Sequence, residues 1–274
     1  MVEKAFTHGG RFHADDVFSA ALLTYLYPDI CIERGFDIPK DYQGIIFDIG
    51  FGAFDHHQEQ KEIRENGVPY AAFGLLWREF GEQILGRELA QKFDEAFIQP
   101  LDIADNTGMK NDLCEIISIF NPSWDEEGDE DLCFLRAKEV ALQILKRKFV
   151  YIKGEKKAEQ IIKEAMAKSQ NHILVLKEFV PWKRSLKETD IYFVVYPSKR
   201  GGYNAQGIPK DDDKTELKCY FLEQWRGKTE GKLKEISGIR TMNFCHTSGF
   251  LVATDTLEDA IKACEISMKD MVLG

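Results

Sequence analysis

The chain has 274 residues, a net charge of −10 and an apolar fraction of 44%. This length allows two domains with buried cores, whereas the acidic balance argues against sequence-independent nucleic-acid binding by the whole surface. No apolar run approaches the roughly 18 residues of a membrane helix, and six scattered cysteines without a C-x-x-C pair are typical of reduced thiols, so we expect a cytoplasmic protein without membrane association.

Strand and helix patterns alternate through the first half of the sequence. Apolar runs predict short strands at Lys4–Thr7, Ile30–Glu33 and Ile45–Phe47. Apolar residues at helical spacing predict helices at Val17–Tyr27, Ala71–Ile84, Leu89–Ala104, Asp112–Phe120 and Asp131–Lys168, the last with a break near Val150–Gly154. This order predicts an α/β fold with a mostly parallel sheet and flanking helices, in which ligands bind beyond the carboxyl ends of the strands.

The second half is richer in strand patterns. Val, Ile, Tyr and Phe are concentrated in predicted strands at His172–Phe179, Ile191–Tyr196, Tyr203–Ile208 and Phe250–Ala253. An amphipathic helix at Leu257–Met268 closes the sequence. We therefore predict a first domain of residues 1–168, which includes a long connecting helix, and a smaller α+β domain of residues 169–274.

Histidine and aspartate are clustered after the first and third predicted strands, and one further aspartate ends a predicted helix. The candidate metal ligands are His8, His13, Asp15, Asp16, Asp48, Asp55, His56, His57 and Asp105. Imidazole and carboxylate groups together suit Mn²⁺, Zn²⁺ or Fe²⁺. Phosphate-ester hydrolysis needs neutralised phosphoryl charge and a hydroxide near neutral pH, which two metal ions provide. The set therefore predicts a two-metal hydrolase.

Three residues have two interpretations each. Asp16 is either the N-cap of the following helix or a metal ligand. Trp182 and Trp225 are either core residues or platforms on which bases stack. The sequence leaves these alternatives open.

The motifs together resemble the Myg (melanocyte-proliferating-gene) family of the DHH phosphoesterase superfamily. The similarity rests on the segments Thr7–Asp16, Asp55–Gln58, Pro181–Lys183, Trp225–Gly227 and Phe244–Phe250. It implies a DHH-type catalytic domain followed by a smaller substrate-binding domain. Most DHH enzymes have aspartate where this chain has His13, and the spacing from His8 to Asp15 is one residue longer here.

The resemblance also implies a role for each site residue. Two divalent ions, Mn²⁺ ahead of Mg²⁺, Fe²⁺ or Zn²⁺, would be bound by His8, His13, Asp15, Asp48, His56 and Asp105. Asp48 would bridge the ions and act in catalysis with His57, which would face the substrate phosphate, while Asp55 would orient a histidine. In the smaller domain, the turn that contains His246, Ser248 and Gly249 would bind substrate phosphate.

The function that the resemblance implies is metal-dependent hydrolysis of phosphodiester bonds, as a 3′–5′ exonuclease on RNA or short oligonucleotides. A pyrophosphatase or a small-nucleotide phosphodiesterase is the alternative enzyme, and the acidic charge favours such small substrates. A metal-binding regulatory protein without catalysis is the alternative outside enzymes. The oligomeric state stays open.

Overall fold

The computed structural model describes residues 3–210 and 216–273 and divides the chain into two compact units, Met1–Lys153 and Gly154–Gly274. Each unit contains its own hydrophobic core. The division lies within the long helix, before the predicted domain boundary at residue 168, and that boundary stays a prediction. In the described residues, we find no helix with the length and apolarity that a membrane span requires.

The first unit is built on a three-stranded parallel sheet. Strands β1 (Lys4–His8), β2 (Cys31–Gly35) and β3 (Ile45–Ile46) lie in the order β2-β1-β3. The helices are α1 (Ala14–Leu26), α2 (Ala72–Leu85), α3 (Arg87–Phe93), α4 (Gln99–Thr107), α5 (Asp112–Ser118) and α6 (Glu130–Met166). The predicted parallel sheet with helices is therefore confirmed for this unit.

The sheet is short, so helix α1 provides much of the core. Its residues from Ala14 to Leu23 are all buried, and Phe18 packs in ring contact with Phe73 of α2 and Phe97. Burial of apolar area on this scale is the main term that stabilises the unit. It also holds the first turn of α1 firmly beside the end of β1.

The predicted helix Leu89–Ala104 is two helices joined by a π-helical turn at Asp94–Ile98. The turn lies just before Pro100, which has no N–H group and whose ring crowds the preceding turn of a regular α-helix. A π turn is one way to absorb such a defect without ending the helix. Helix α4 then continues to Thr107 and carries Asp105.

The expected break near Val150–Gly154 is absent, because α6 is continuous from Glu130 to Met166. A single glycine costs about 1 kcal/mol relative to alanine in a helix, and apolar burial on both sides of it outweighs that cost. Phe149 packs in the core of the first unit, and Ala158 and Ile162 pack in a core of the second.

The second unit is built on a five-stranded mixed sheet in the order β4-β5-β6-β8-β7. Strands β4 and β5 are parallel, and the remaining pairs are antiparallel. The strands are β4 (Ile173–Val175), β5 (Phe193–Pro197), β6 (Tyr203–Gly207), β7 (Met242–Cys245) and β8 (Leu251–Thr254). The helices are α7 (Lys183–Leu186), α8 (Glu230–Ser237) and α9 (Leu257–Leu273).

Trp182 and Trp225 are core residues of this second unit. Each is only 1% exposed, so neither offers a face on which a base could stack. The choice that the sequence left open for both tryptophans is therefore settled in favour of the core.

Candidate metal centre

The carboxyl ends of two neighbouring strands begin the site. His8 is the last residue of β1, and Asp48 lies two residues beyond β3. Asp48 has a left-handed backbone with φ of 55°, and its N–H group donates to the carbonyl of Phe54 at 2.9 Å. The first turn of α1 adds Asp15 and Asp16. Strand ends and a helix start thus converge as the parallel sheet predicts.

The first candidate ligand group consists of His8, Asp16 and Asp48. His8 Nε2 lies 3.3 Å from Asp16 Oδ2 and 3.3 Å from Asp48 Oδ2. The other ring nitrogen, His8 Nδ1, lies 2.9 Å from the Gly9 carbonyl, to which its N–H group donates. Asp16 Oδ1 accepts two backbone N–H bonds at the start of α1. The Nε2 atom of His8 and the Oδ2 atom of Asp16 therefore remain available to bind a cation.

The second candidate ligand group consists of Asp15, His56 and Asp105. His56 Nε2 lies 3.1 Å from Asp105 Oδ2, and His56 Nδ1 lies 3.8 Å from Asp15 Oδ2. Asp15 also accepts two backbone N–H bonds at the start of α2, which fixes its carboxylate.

Asp48 contacts both groups. Its Oδ2 faces His8, whereas its Oδ1 lies 3.4 Å from His56 Nδ1. One carboxylate thus has one oxygen towards each group, which is the arrangement that a bridging ligand requires.

A third group joins Asp48 and His56 with Asp55 and His57, but both carboxylate oxygens of Asp55 already accept hydrogen bonds. Asp55 accepts bonds from the backbone N–H groups of Phe51 and His57, at 2.7 and 3.0 Å, and its Oδ1 lies 2.8 Å from His57 Nδ1. Burial raises the pKa of Asp55, but these hydrogen bonds hold it below the usual value. The Asp55 carboxylate thus contacts the ring of His57, whose side chain is 57% exposed, and the role of Asp55 in orienting that ring stays a prediction.

The charges and unsatisfied atoms of the site fit divalent cations. Among the residues that the structure describes, three buried atoms of the two ligand groups have no hydrogen-bond partner: Asp16 Oδ2, Asp48 Oδ1 and His56 Nδ1. Burial raises the pKa of Asp16 to about 7 and that of Asp15 well above its usual value. Unpaired carboxylates are costly to bury, and divalent ions would satisfy these atoms and offset that cost.

An open cleft of about 660 Å³ leads onto the second group. Asp15, His56 and Asp105 line it together with His57 and with the two lysines Lys61 and Lys110. The cleft therefore combines candidate metal ligands with cationic side chains, as a site for a phosphate ester would.

The structure brings together five of the six residues that the resemblance implies as ligands: His8, Asp15, Asp48, His56 and Asp105. His13 lies outside the three groups that the described residues form. It precedes α1, and its ring centroid is 6.3 Å from that of His8. Its role as a ligand stays a prediction that this geometry does not support, although His13 also lines the cleft.

Asp16 takes the position beside His8 that the resemblance gave to His13. It is the third residue of α1 rather than the N-cap, and its Oδ1 accepts the N–H group of His13 at 2.8 Å. Two consecutive aspartates in a first helical turn can serve different ligand groups. The repeated aspartate was the sequence signal for this arrangement.

Comparison with known proteins places the chain in a family. The family model MYG1_exonuc, described as uncharacterised protein family UPF0160, matches residues 4–268. The chain belongs to the MYG1 family. A MYG1 protein of Schizosaccharomyces pombe is 27% identical over 94% of this chain and 95% of its own length. A protein of Bos taurus named MYG1 exonuclease is 28% identical over 96% of this chain and 84% of its own length. A protein of Homo sapiens with the same name is 26% identical over 96% of this chain and 85% of its own length. No solved structure matches the chain.

The MYG1 match extends through the second unit, where the predicted phosphate-binding turn follows β7. His246 Nδ1 lies 2.8 Å from Ser248 Oγ and accepts the N–H group of Ser248 at 3.1 Å. Gly249 has a φ of 70°, and a side chain there would collide with Arg226. The turn is thus locally well ordered by its own contacts, and its role in binding substrate stays a prediction.

A buried ion-pair network, which sequence reasoning missed, supports the helix that carries Asp105. Arg64 donates to Asp94 through Nε at 2.9 Å and Nη2 at 2.7 Å, and to Asp102 Oδ2 at 2.7 Å. Asp102 is completely buried one turn before Asp105, and burial raises its pKa to about 7 despite the charge of Arg64. The lone Arg64 in a loop gave no signal in the sequence.

Proposed function

We propose that this MYG1-family chain is a metal-dependent phosphoesterase of the DHH type, a 3′–5′ exonuclease that acts on RNA or short oligonucleotides. The observation that supports this most strongly is Asp48, which has one carboxylate oxygen towards each of two His/Asp groups. The bovine and human relatives named MYG1 exonuclease support the nuclease class. The 3′ direction and the RNA substrate come from the resemblance to the Myg family.

Each ligand group would hold one divalent ion, and we propose Mn²⁺ for both. His8 and Asp16 would bind one ion, Asp15, His56 and Asp105 the other, and Asp48 both. When bound, a pair of divalent ions lowers the pKa of water and neutralises the charge of phosphoryl oxygens. The protein fixes the donors beforehand, since backbone N–H groups hold the carboxylates of Asp15 and Asp16.

His57 would contact the substrate directly. Asp55 accepts the Nδ1–H bond of His57, so the Nε2 atom is the one left for a ligand in the cleft. A ring that carries a proton on both nitrogens donates from Nε2 to a phosphoryl oxygen. His57 would thus stabilise the negative charge that develops during hydrolysis.

The test compares wild type with Asp48→Asn in Mn²⁺-dependent hydrolysis of a 5′-labelled short RNA. Pyrophosphate and a cyclic dinucleotide are assayed separately as alternative substrates. Asparagine tolerates the left-handed backbone at position 48, so the variant keeps the fold. Asp41→Asn is a matched control, because Asp41 is exposed and has a similar φ of 59°.

We expect stepwise shortening of the RNA by wild type and by Asp41→Asn, and none by Asp48→Asn. Release only from pyrophosphate or the cyclic dinucleotide would replace the exonuclease with the alternative enzyme. If none of the three substrates is hydrolysed with Mn²⁺, the non-catalytic metal-binding protein becomes the better account.

A further inference from the structure

Lys61 is a cation that lies in the same cleft as the second ligand group. Its side chain is exposed, and its Nζ donates to Asn106 Oδ1 at 3.2 Å. Asn106 directly follows Asp105, so this hydrogen bond ties the ammonium group to the segment that carries a candidate metal ligand. Neither the ligand groups nor the family motifs account for this lysine.

The amide that holds Lys61 is itself fixed. Asn106 Nδ2 donates to the carbonyl of Tyr70 and to that of Asp102, both at 3.0 Å. These two bonds decide which way the amide faces, and they leave its Oδ1 for the lysine. Lysine has a flexible stem, and a fixed acceptor reduces the rotamer entropy that is lost when it binds a ligand.

The hydrogen bond leaves the positive charge of Lys61 available. Its partner Asn106 is a neutral amide, whereas Lys110 on the same cleft lies 3.7 Å from the carboxylate of Glu115. A cation held by a neutral acceptor can still attract a phosphate group. The positive charge of Lys61 is important because the chain has a net charge of −10, which otherwise repels a polyanion.

We propose that Lys61, positioned by Asn106, binds a phosphate group of the oligonucleotide substrate in this cleft. The inference rests on the proposed function, because it assumes a substrate with phosphates. It makes Lys61 a residue that recognises the substrate, and its contribution is the ionic attraction that the acidic surface does not provide.

The test measures binding of a short, nuclease-resistant 2′-O-methyl phosphorothioate RNA in Mn²⁺, by fluorescence polarisation over a range of salt concentrations. For single strands, each neutralised phosphate contributes about 0.7 to the slope of log K against log salt concentration. We expect Lys61→Met to reduce this slope by about 0.7 and to weaken binding roughly tenfold at low salt.

Two variants separate the role of Lys61 from a general effect of charge. Lys61→Arg keeps the positive charge and should keep the slope, and Lys40→Met removes an exposed lysine outside the cleft and should also keep it. Because Lys61 is exposed, the methionine variant should unfold at the wild-type temperature.

The outcomes distinguish this inference from the proposed function. If wild type binds and hydrolyses RNA but Lys61→Met has an unchanged slope, the assignment of Lys61 is wrong and the exonuclease stands. If wild type neither binds nor hydrolyses RNA, the proposed function fails and this inference fails with it.

Discussion

Asp48 has a backbone conformation that aspartate and asparagine adopt more readily than most residues. Asp48 has a φ of 55° and comes directly after Phe47, which forms a parallel bridge with Phe54. In this conformation one carboxylate oxygen of Asp48 lies near His8 and the other near His56. Left-handed residues often occur at functional sites, where the surrounding structure holds the strained backbone. The conformation therefore accounts for the way in which one short side chain reaches two ligand groups.

Asp55→Asn tests whether Asp55 orients His57 or binds metal. Asparagine has one acceptor oxygen in place of the carboxylate that accepts bonds from Phe51 and His57. We expect kcat to fall about 10- to 100-fold, as is typical when a group that orients a site residue is lost, while Mn²⁺ affinity stays close to wild type. Kinetics and a Mn²⁺ titration would check this, and loss of Mn²⁺ binding would instead make Asp55 a ligand.

Asp16 and His8 are two of the site residues that make the metal-free protein sensitive to pH. Burial raises the pKa of Asp16 to about 7; burial lowers that of His8, but the hydrogen bond with Asp48 and the charge of Asp16 raise it to about 9. Both groups bind their protons more tightly in the folded state than in the unfolded chain, where their pKa values are 3.8 and 6.5. Their stabilising contribution is therefore complete below the unfolded values and is lost as pH rises through about 7 and about 9.

We expect the unfolding temperature of chelator-treated protein to decrease as pH rises from 5 to ~9. The asparagine side chain of the Asp16→Asn variant cannot ionise. As pH rises from 5 to about 7, this variant should therefore lose less stability than wild type. Thermal unfolding of both proteins in buffers of equal ionic strength measures this difference. An identical pH dependence for the two proteins would show that Asp16 does not bind its proton as the burial of its carboxylate implies.

The close approach of α2 and α4 fixes where Asp105 lies. The approach requires Gly74 in α2, because a Cβ atom there would overlap with Asp102 Oδ2 and lie 2.7 Å from Arg64 Nη2. The glycine thus leaves space for the buried ion pair between Arg64 and Asp102. Sequence alone shows Gly74 only as a weak point in a helix.

Replacing each of two helical glycines with alanine should change the free energy of unfolding in opposite directions. Gly74→Ala would force apart the buried pair of Arg64 and Asp102, and we expect it to destabilise the fold by roughly 3 kcal/mol. Gly154→Ala meets open space in α6 and should stabilise the protein by about 1 kcal/mol, because alanine is the better helix former. Urea unfolding of both variants measures the two free energies. Equal effects of the same sign would contradict this account of Gly74.

Local patterns predicted most helices and strands, and the exceptions have physical causes. Strand β7 (Met242–Cys245) was not predicted, because it is short, has no β-branched residue and is irregular between Met242 and Phe244. The break expected in α6 is absent because cores on both sides of Gly154 hold the helix. Tertiary packing overrides local propensity in such cases.

The sequence indicated the region of the site better than the contacts between the site residues. Clusters after β1 and β3 had to converge, because the carboxyl ends of parallel strands meet at one edge. The choice between His13 and Asp16 depended on how the chain enters α1, which spacing does not show. Lys61 joins the cleft through a loop between elements, so no periodic pattern could place it there.

Membership of the MYG1 family concerns both units of the chain, since the matches with relatives cover 94% and 96% of its length. All the candidate metal ligands lie in the first unit, within Met1–Lys153. The substrate-binding role of His246, Ser248 and Gly249 in the second unit remains a prediction from the family resemblance.

The stoichiometry of Mn²⁺ binding tests whether Asp48 joins two metal sites. Isothermal titration of chelator-treated wild type should give two Mn²⁺ ions per chain, and Asp41→Asn should give the same result. Asp48→Asn removes a ligand from both groups at once, so it should bind neither ion tightly. A single ion in wild type, or two ions retained by Asp48→Asn, would contradict the bridging role of Asp48.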